Sequence, residues 1–117
     1  MAAQRGFPRS ARLSRKAEYM RAFSRGEKAR NPAFLCHAHV DPAQETRLGM
    51  VVSRKVGGAV VRNRVKRHVR EFFRLNRARL QPGLQLVIVA LPPSAALDGP
   101  ACAHALEELL HRWLRDA

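Results

Sequence analysis

Residues 84–91 are almost wholly apolar, closed off by Gln81-Pro82-Gly83 before them and Pro92-Pro93 after them. The run is strand-sized and far short of the ~20 apolar residues that cross a bilayer. A strand without polar alternation has to be covered on both faces. The rest of the chain must therefore supply apolar surfaces to a sheet. At 117 residues it can bury one modest core and not two.

Those surfaces are readable. Ser14 is expected to act as N-cap of a helix that runs to Phe23 and stops near Gly26, with Tyr19 and Phe23 at i and i+4 on one face. Asn31-Pro32 marks a turn. Residues 34–40 then alternate as a strand, with Phe34, Cys36, Ala38 and Val40 on one side and Leu35, His37 and His39 on the other. Residues 47–53 form the next strand, expected to run antiparallel beside the first across the loop begun by Asp41-Pro42. A short extra strand is expected near residues 28–30.

From residue 59 to about 80 the period becomes helical, and Val61, Val65, His68, Val69, Phe72, Phe73, Leu75 and Leu80 share one apolar half. Asp98-Gly99-Pro100 opens a last helix that packs through Ala103, Leu106, Leu109, Leu110, Trp113 and Leu114. The order predicts an α/β (α+β) two-layer sandwich: one small sheet carrying helices. Residues 1–12 are expected to be a flexible basic N-terminus and residues 13–117 a single domain.

Charge bounds the function. Twenty-two Lys and Arg face nine Asp and Glu, a net +13. Residues 1–30 carry +7 and residues 54–79 carry +9, while the remainder is slightly acidic. Lys66, Arg67, Arg70, Arg74 and Arg77, with Asn63 and Arg64, occupy the polar half of the long helix, where Glu71 is the one acid within helical reach. Solvated helix faces usually mix signs. This one repels itself and calls for a polyanion, of which nucleic acid is the commonest. No helix pairs its basic residues with an exposed Trp, Phe or Leu stripe of the membrane-surface type, so no membrane is expected. Arg outnumbers Lys eighteen to four, a bias that suits phosphate recognition by the guanidinium fork.

Catalytic constellations are missing from the pattern. The acids are scattered rather than gathered as a Mg²⁺-holding nuclease needs. Neither a nucleophile elbow, an HExxH nor a His-Cys metal spacing occurs, so no catalytic or metal residue is assigned and no small-molecule substrate is expected. In Cys36-His37-Ala38-His39, strand alternation points Cys36 away from both histidines. Two cysteines without CxxC spacing, and no secretory-type apolar stretch in residues 1–13, point to a cytoplasmic home.

Residues 47–57, with Arg47-Leu48-Gly49-Met50-Val51-Val52-Ser53-Arg54-Lys55-Val56-Gly57, are followed by Arg62-Asn63-Arg64-Val65-Lys66-Arg67-His68-Val69-Arg70-Glu71-Phe72-Phe73-Arg74. This extended run resembles the signature of the bacterial ribonuclease P protein subunit, whose Arg-Asn-Arg helix is its best-known part. The other landmarks agree along almost the full chain.

The resemblance implies a protein cofactor of a ribozyme. Its catalytic RNA subunit removes the 5′ leader from precursor tRNA by endonucleolytic cleavage, with Mg²⁺ held mainly by the RNA. By position, Tyr19, Phe23 and His37 would line a leader cleft, His37 standing where many relatives carry Tyr or Phe. Arg54 and Lys55 would take phosphates at its edge. Arg62, Asn63, Arg64, Lys66, Arg67 and Arg70 would form the surface toward RNA. The fold implied is shared with a ribosomal small-subunit protein domain and includes a left-handed βαβ crossover, against the usual right-handed rule. A ribosomal or chaperone-type RNA-binding protein is the alternative.

Overall fold

The computed structural model describes residues 11–13 and 16–115. The chain runs through α1 (Lys16–Arg25), β1 (Glu27–Arg30), β2 (Phe34–Val40), β3 (Arg47–Val51), α2 (Ala59–Asn76), β4 (Leu84–Ala90) and α3 (Gly99–Leu109). Short 3-10 turns follow α2, β4 and α3 at Arg77–Arg79, Pro92–Ala96 and His111–Trp113. Ser14, the expected N-cap of α1, lies outside the described residues, as do residues 1–10 of the basic N-terminus. Ala11 is fully buried, and Arg12 bridges to Leu48, so packing reaches into the segment read as flexible.

The strands form one mixed sheet in the order β1-β2-β4-β3. β4 pairs antiparallel with β2 and parallel with β3. This corrects the expected β2–β3 pairing: the two strands do run in opposite directions, but β4 lies between them. The physical reason is in β4 itself. As the longest nearly apolar strand, with Gln85 as its single polar residue, it gains most from burial on both faces, and six of its seven residues are buried. β3 therefore reaches β4 through a parallel crossover carried by α2.

The sheet's two faces do different work. On one, Phe34, Cys36, Leu48, Leu84, Leu86 and Ile88 meet α2 and α3 in the main core, which includes Val65, Val69, Phe72, Phe73, Cys102, Leu106 and Trp113. Burying a side chain of this size is worth about 1.5–3 kcal/mol, so this layer holds the fold. The expected α+β sandwich is thus observed, with Trp113 in its core. On the other face α1 covers a smaller cluster of Leu13, Ala22 and Val87.

Local chemistry fixes the corners. Asn31 Oδ1 accepts from the backbone N–H groups of Ala33 and Phe34, and its Nδ2 donates to the Ala105 carbonyl 2.9 Å away, tying the β1–β2 turn to α3. Asp98 caps α3 by accepting from Ala101 N at 2.8 Å. α2 stops at Asn76, short of the expected residue 80. Leu75, placed by periodicity at the edge of the apolar half, is 65% exposed. β3 likewise ends at Val51 rather than Ser53.

Candidate nucleic-acid interface

Strand register builds the first half of the site. Residues that are direct partners share a face, so Lys28, His37, Val87 and Gly49 form one row across all four strands, and Arg30, Leu35, Val89 and Val51 the next. α1 sits over the first row. Phe23 stands edge-on to His37, with ring centroids 4.6 Å apart at 87°, and Tyr19 lies 6.4 Å from Phe23. Gly49 makes room for Tyr19: a Cβ there would stand 2.7 Å from the ring's Cζ. The structure thus brings Tyr19, Phe23 and His37 together as expected.

The second row is left partly open. Leu35 and Val89 are half-buried, Val51 is exposed, and Lys28 and Arg30 are exposed on the edge strand. The result is a trough with an aliphatic floor, aromatic walls and a cationic rim. Arg54 and Lys55 follow the end of β3 in the exposed turn, where Ser53 Oγ accepts from Lys55 N. His37 is buried, and its Nδ1 has no hydrogen-bond partner. Burial, and secondarily the charge of Lys28, lowers its pKa, so the ring is neutral at pH 7 and offers a face rather than a charge. Alternation already puts Leu35 on the His37 face, but Val51, Val89, Lys28 and Arg30 escape sequence reading, because only the register places them beside the rings.

The second half is α2. Asn63 and Arg67 are exposed, and Arg62, Arg64, Lys66 and Arg70 are half-buried along one side. Arg64 Nη2 donates to the Ala95 carbonyl at 2.7 Å, which braces its guanidinium against the 3-10 turn after β4. Gly58, the N-cap, provides no side-chain cap, and the first turn holds no acid, so the positive end of the helix dipole is uncompensated by the chain.

Charges are sorted across the surface. Glu71 binds Arg74, Glu45 faces Arg77 at 3.9 Å, Glu107 holds Arg79 at 2.9 Å, and Glu27 holds Arg112 at 2.7 Å. The hydrogen bond from Arg79 draws the Glu107 carboxyl below its ordinary pKa, and Arg74 does the same to Glu71. Among the described residues, Arg54, Lys55, Arg62, Arg64, Lys66, Arg67 and Arg70 make no ion pair. These seven like charges lie on one turn and one helix with no acid paired to them, a surface whose own charge favours an anion.

Reactive groups are held apart from this surface. Cys36 and Cys102 are buried free thiols, pushed up to about 11 by desolvation, so they stay protonated at neutral pH. Among the described residues no cluster of three or more His, Cys, Asp or Glu could hold a metal ion. Nor is any described helix long and apolar enough to cross a membrane.

A family model, Ribonuclease P, matches residues 7–114. The "Ribonuclease P protein component" of Desulfovibrio desulfuricans is 43% identical over 112 residues, covering 92% of this chain and 86% of its own. That of Streptomyces avermitilis is 40% identical over 116 residues, with 92% and 94% covered. Among solved structures, the Staphylococcus aureus RNase P protein superposes with a TM-score of 0.81 at 26% identity, covering 87% of this chain and 94% of that one. The Thermotoga maritima RNase P protein does so with 0.77 at 30% identity, covering 86% and 96%. Sequence and backbone agree over nearly the whole length, and the chain belongs to the ribonuclease P protein family.

Proposed function

We propose that this chain, as a subunit of a tRNA-processing ribonucleoprotein whose partner is ribonuclease P RNA, is non-catalytic and acts through two surfaces: the α1–sheet trough holds the 5′ leader of precursor tRNA, and the α2 face holds RNA near the ribozyme's reactive centre. The observation that carries this reading is that, among the described residues, the seven bases from Arg54 to Arg70 make no ion pair, whereas Arg74, Arg77, Arg79 and Arg112 each face a glutamate. It operates in the cytoplasm.

A single-stranded leader offers unstacked bases and phosphates. Tyr19, Phe23 and the neutral His37 ring supply faces for the first, and Arg54 and Lys55 supply cations for the second. Neither contact reads a base edge, so leaders of differing sequence are accommodated. Arg62, Asn63, Arg64, Lys66, Arg67 and Arg70 lower the repulsion between two RNAs brought side by side. Among the described residues no group of three or more His, Cys, Asp or Glu could hold Mg²⁺, and Glu27, Glu45, Glu71 and Glu107 are each engaged by an arginine. The ion belongs to the RNA in this reading, where it supplies an activated water for phosphodiester cleavage.

Phe23→Ala tests the trough. Loss of one stacked base is worth ~1–3 kcal/mol, so leader-bearing precursor should bind the reconstituted enzyme about 5- to 100-fold more weakly. Mature tRNA, which has no leader, should bind as before. An equal loss for both RNAs would remove the leader from this cleft.

A further inference from the structure

The cationic stripe on α2 continues past the residues that the family motif covers. At 100° per residue, Asn63, Lys66, Arg67, Arg70, Arg74 and Arg77, the last just past the helix end, fall within an arc of roughly 100°, and the stripe is about 21 Å long; Arg74 is held by Glu71, and Arg77 only loosely by Glu45. The far end of the stripe opens into a recess of about 590 Å³ whose lining includes Arg74, Arg77, Arg115, Glu45, Thr46 and Gly83.

Both walls of this recess are fixed by hydrogen bonds. The β2–β3 connection is pinned on one side: Asp41 N donates to Gly83 O, Gly83 N donates to Thr46 Oγ1, and Gln85 Nε2 donates to Glu45 O at 2.7 Å. On the other side Arg115 N donates to Arg79 O at 2.7 Å and Arg115 Nη2 donates to Ala78 O at 2.9 Å, holding the guanidinium at the rim. Glu45 is the one carboxylate in the lining with an arginine to itself; it is 65% exposed and 3.9 Å from Arg77. A pair so long and so wet is weak, which leaves the Arg77 guanidinium open to a stronger anion such as a phosphate.

We infer that this recess binds a phosphodiester group of RNA, with Arg77 and Arg115 as its ligands and Glu45 as the internal anion it displaces. The inference rests on the RNA-binding reading above and extends that interface along the whole of α2. A free phosphate would need no 21 Å approach of like charge, at about 1.5 Å per residue; a polynucleotide fits both the stripe and its end.

Binding as a function of salt tests it, in two arms: the protein with ribonuclease P RNA alone, and the reconstituted enzyme with precursor tRNA. Arg77→Ala should flatten the dependence of log K on log salt by about 1 and weaken binding about five- to tenfold. Glu45→Gln should act in the opposite direction, tightening binding about two- to threefold at low salt. A change in the first arm assigns the phosphate to the RNA subunit, and a change confined to the second assigns it to the substrate. If Arg77→Ala leaves the slope intact in both arms, or Glu45→Gln fails to tighten binding, the recess is no phosphate site, although the wild-type enzyme still processes precursor. Wild-type protein that did not bind ribonuclease P RNA at all would instead overturn the underlying reading.

Discussion

Replacing Arg67 with Ala is expected to lower processing by the reconstituted enzyme about tenfold or more at low Mg²⁺ and to leave it nearly normal at high Mg²⁺. Arg67 is exposed on α2 and has no ion pair among the described residues, so its removal costs the protein little stability. What is lost is a fixed cation between polyanions. Diffuse Mg²⁺ supplies the same counter-charge when abundant and cannot when scarce, which gives the effect its dependence on the ion. Arg64→Ala should behave alike with a larger loss, since it also releases the bond to Ala95 O that aims the guanidinium. Rates measured across a Mg²⁺ titration decide the matter. An equal fractional loss at every concentration would show that these arginines do not position RNA.

Gly83→Ala should be strongly destabilising for so small a change. Gly83 has φ +82, a conformation side chains rarely adopt, and a Cβ there would stand 2.4 Å from the Asp41 carbonyl oxygen. That oxygen belongs to the turn whose amide donates back to Gly83 O at 2.9 Å, so neither partner can retreat without breaking the pairing that starts β4. Left-handed strain and the clash together should cost about 2–4 kcal/mol, visible as a melting temperature lower by roughly 10 °C. Because Val87 and Val89 on β4 carry the trough, leader affinity should fall with stability. A variant that melts like the wild type would mean that the β2–β3 connection yields freely.

Much of this architecture is legible in the residues. β4 announces itself by a nearly continuous apolar run, and Cys36 and His37 part to opposite faces by simple alternation, one into the main core and one beneath Phe23. Strand neighbours are not legible. Periodicity identifies β3 as a strand but carries no information on its partner, and the short β2–β3 loop suggests a hairpin that the demand of β4 for two covered faces overrides. The same limit hides Val51 and Val89 from the trough. It also hides the Arg64–Ala95 brace, which joins residues 31 apart. The cationic face of α2 was plain from composition, whereas the recess beyond it depends on Arg115 returning beside Ala78, a tertiary event without a local signal.

The central claim is that the protein lends cations and stacking surfaces to chemistry performed by RNA. The most direct measurement incubates labelled precursor tRNA at low Mg²⁺ with purified protein, with ribonuclease P RNA, and with both. The protein alone should leave the precursor intact, the RNA alone should process it slowly, and the mixture should release the 5′ leader rapidly. Cleavage by RNA-free protein, or no gain when it joins the RNA, would contradict the account.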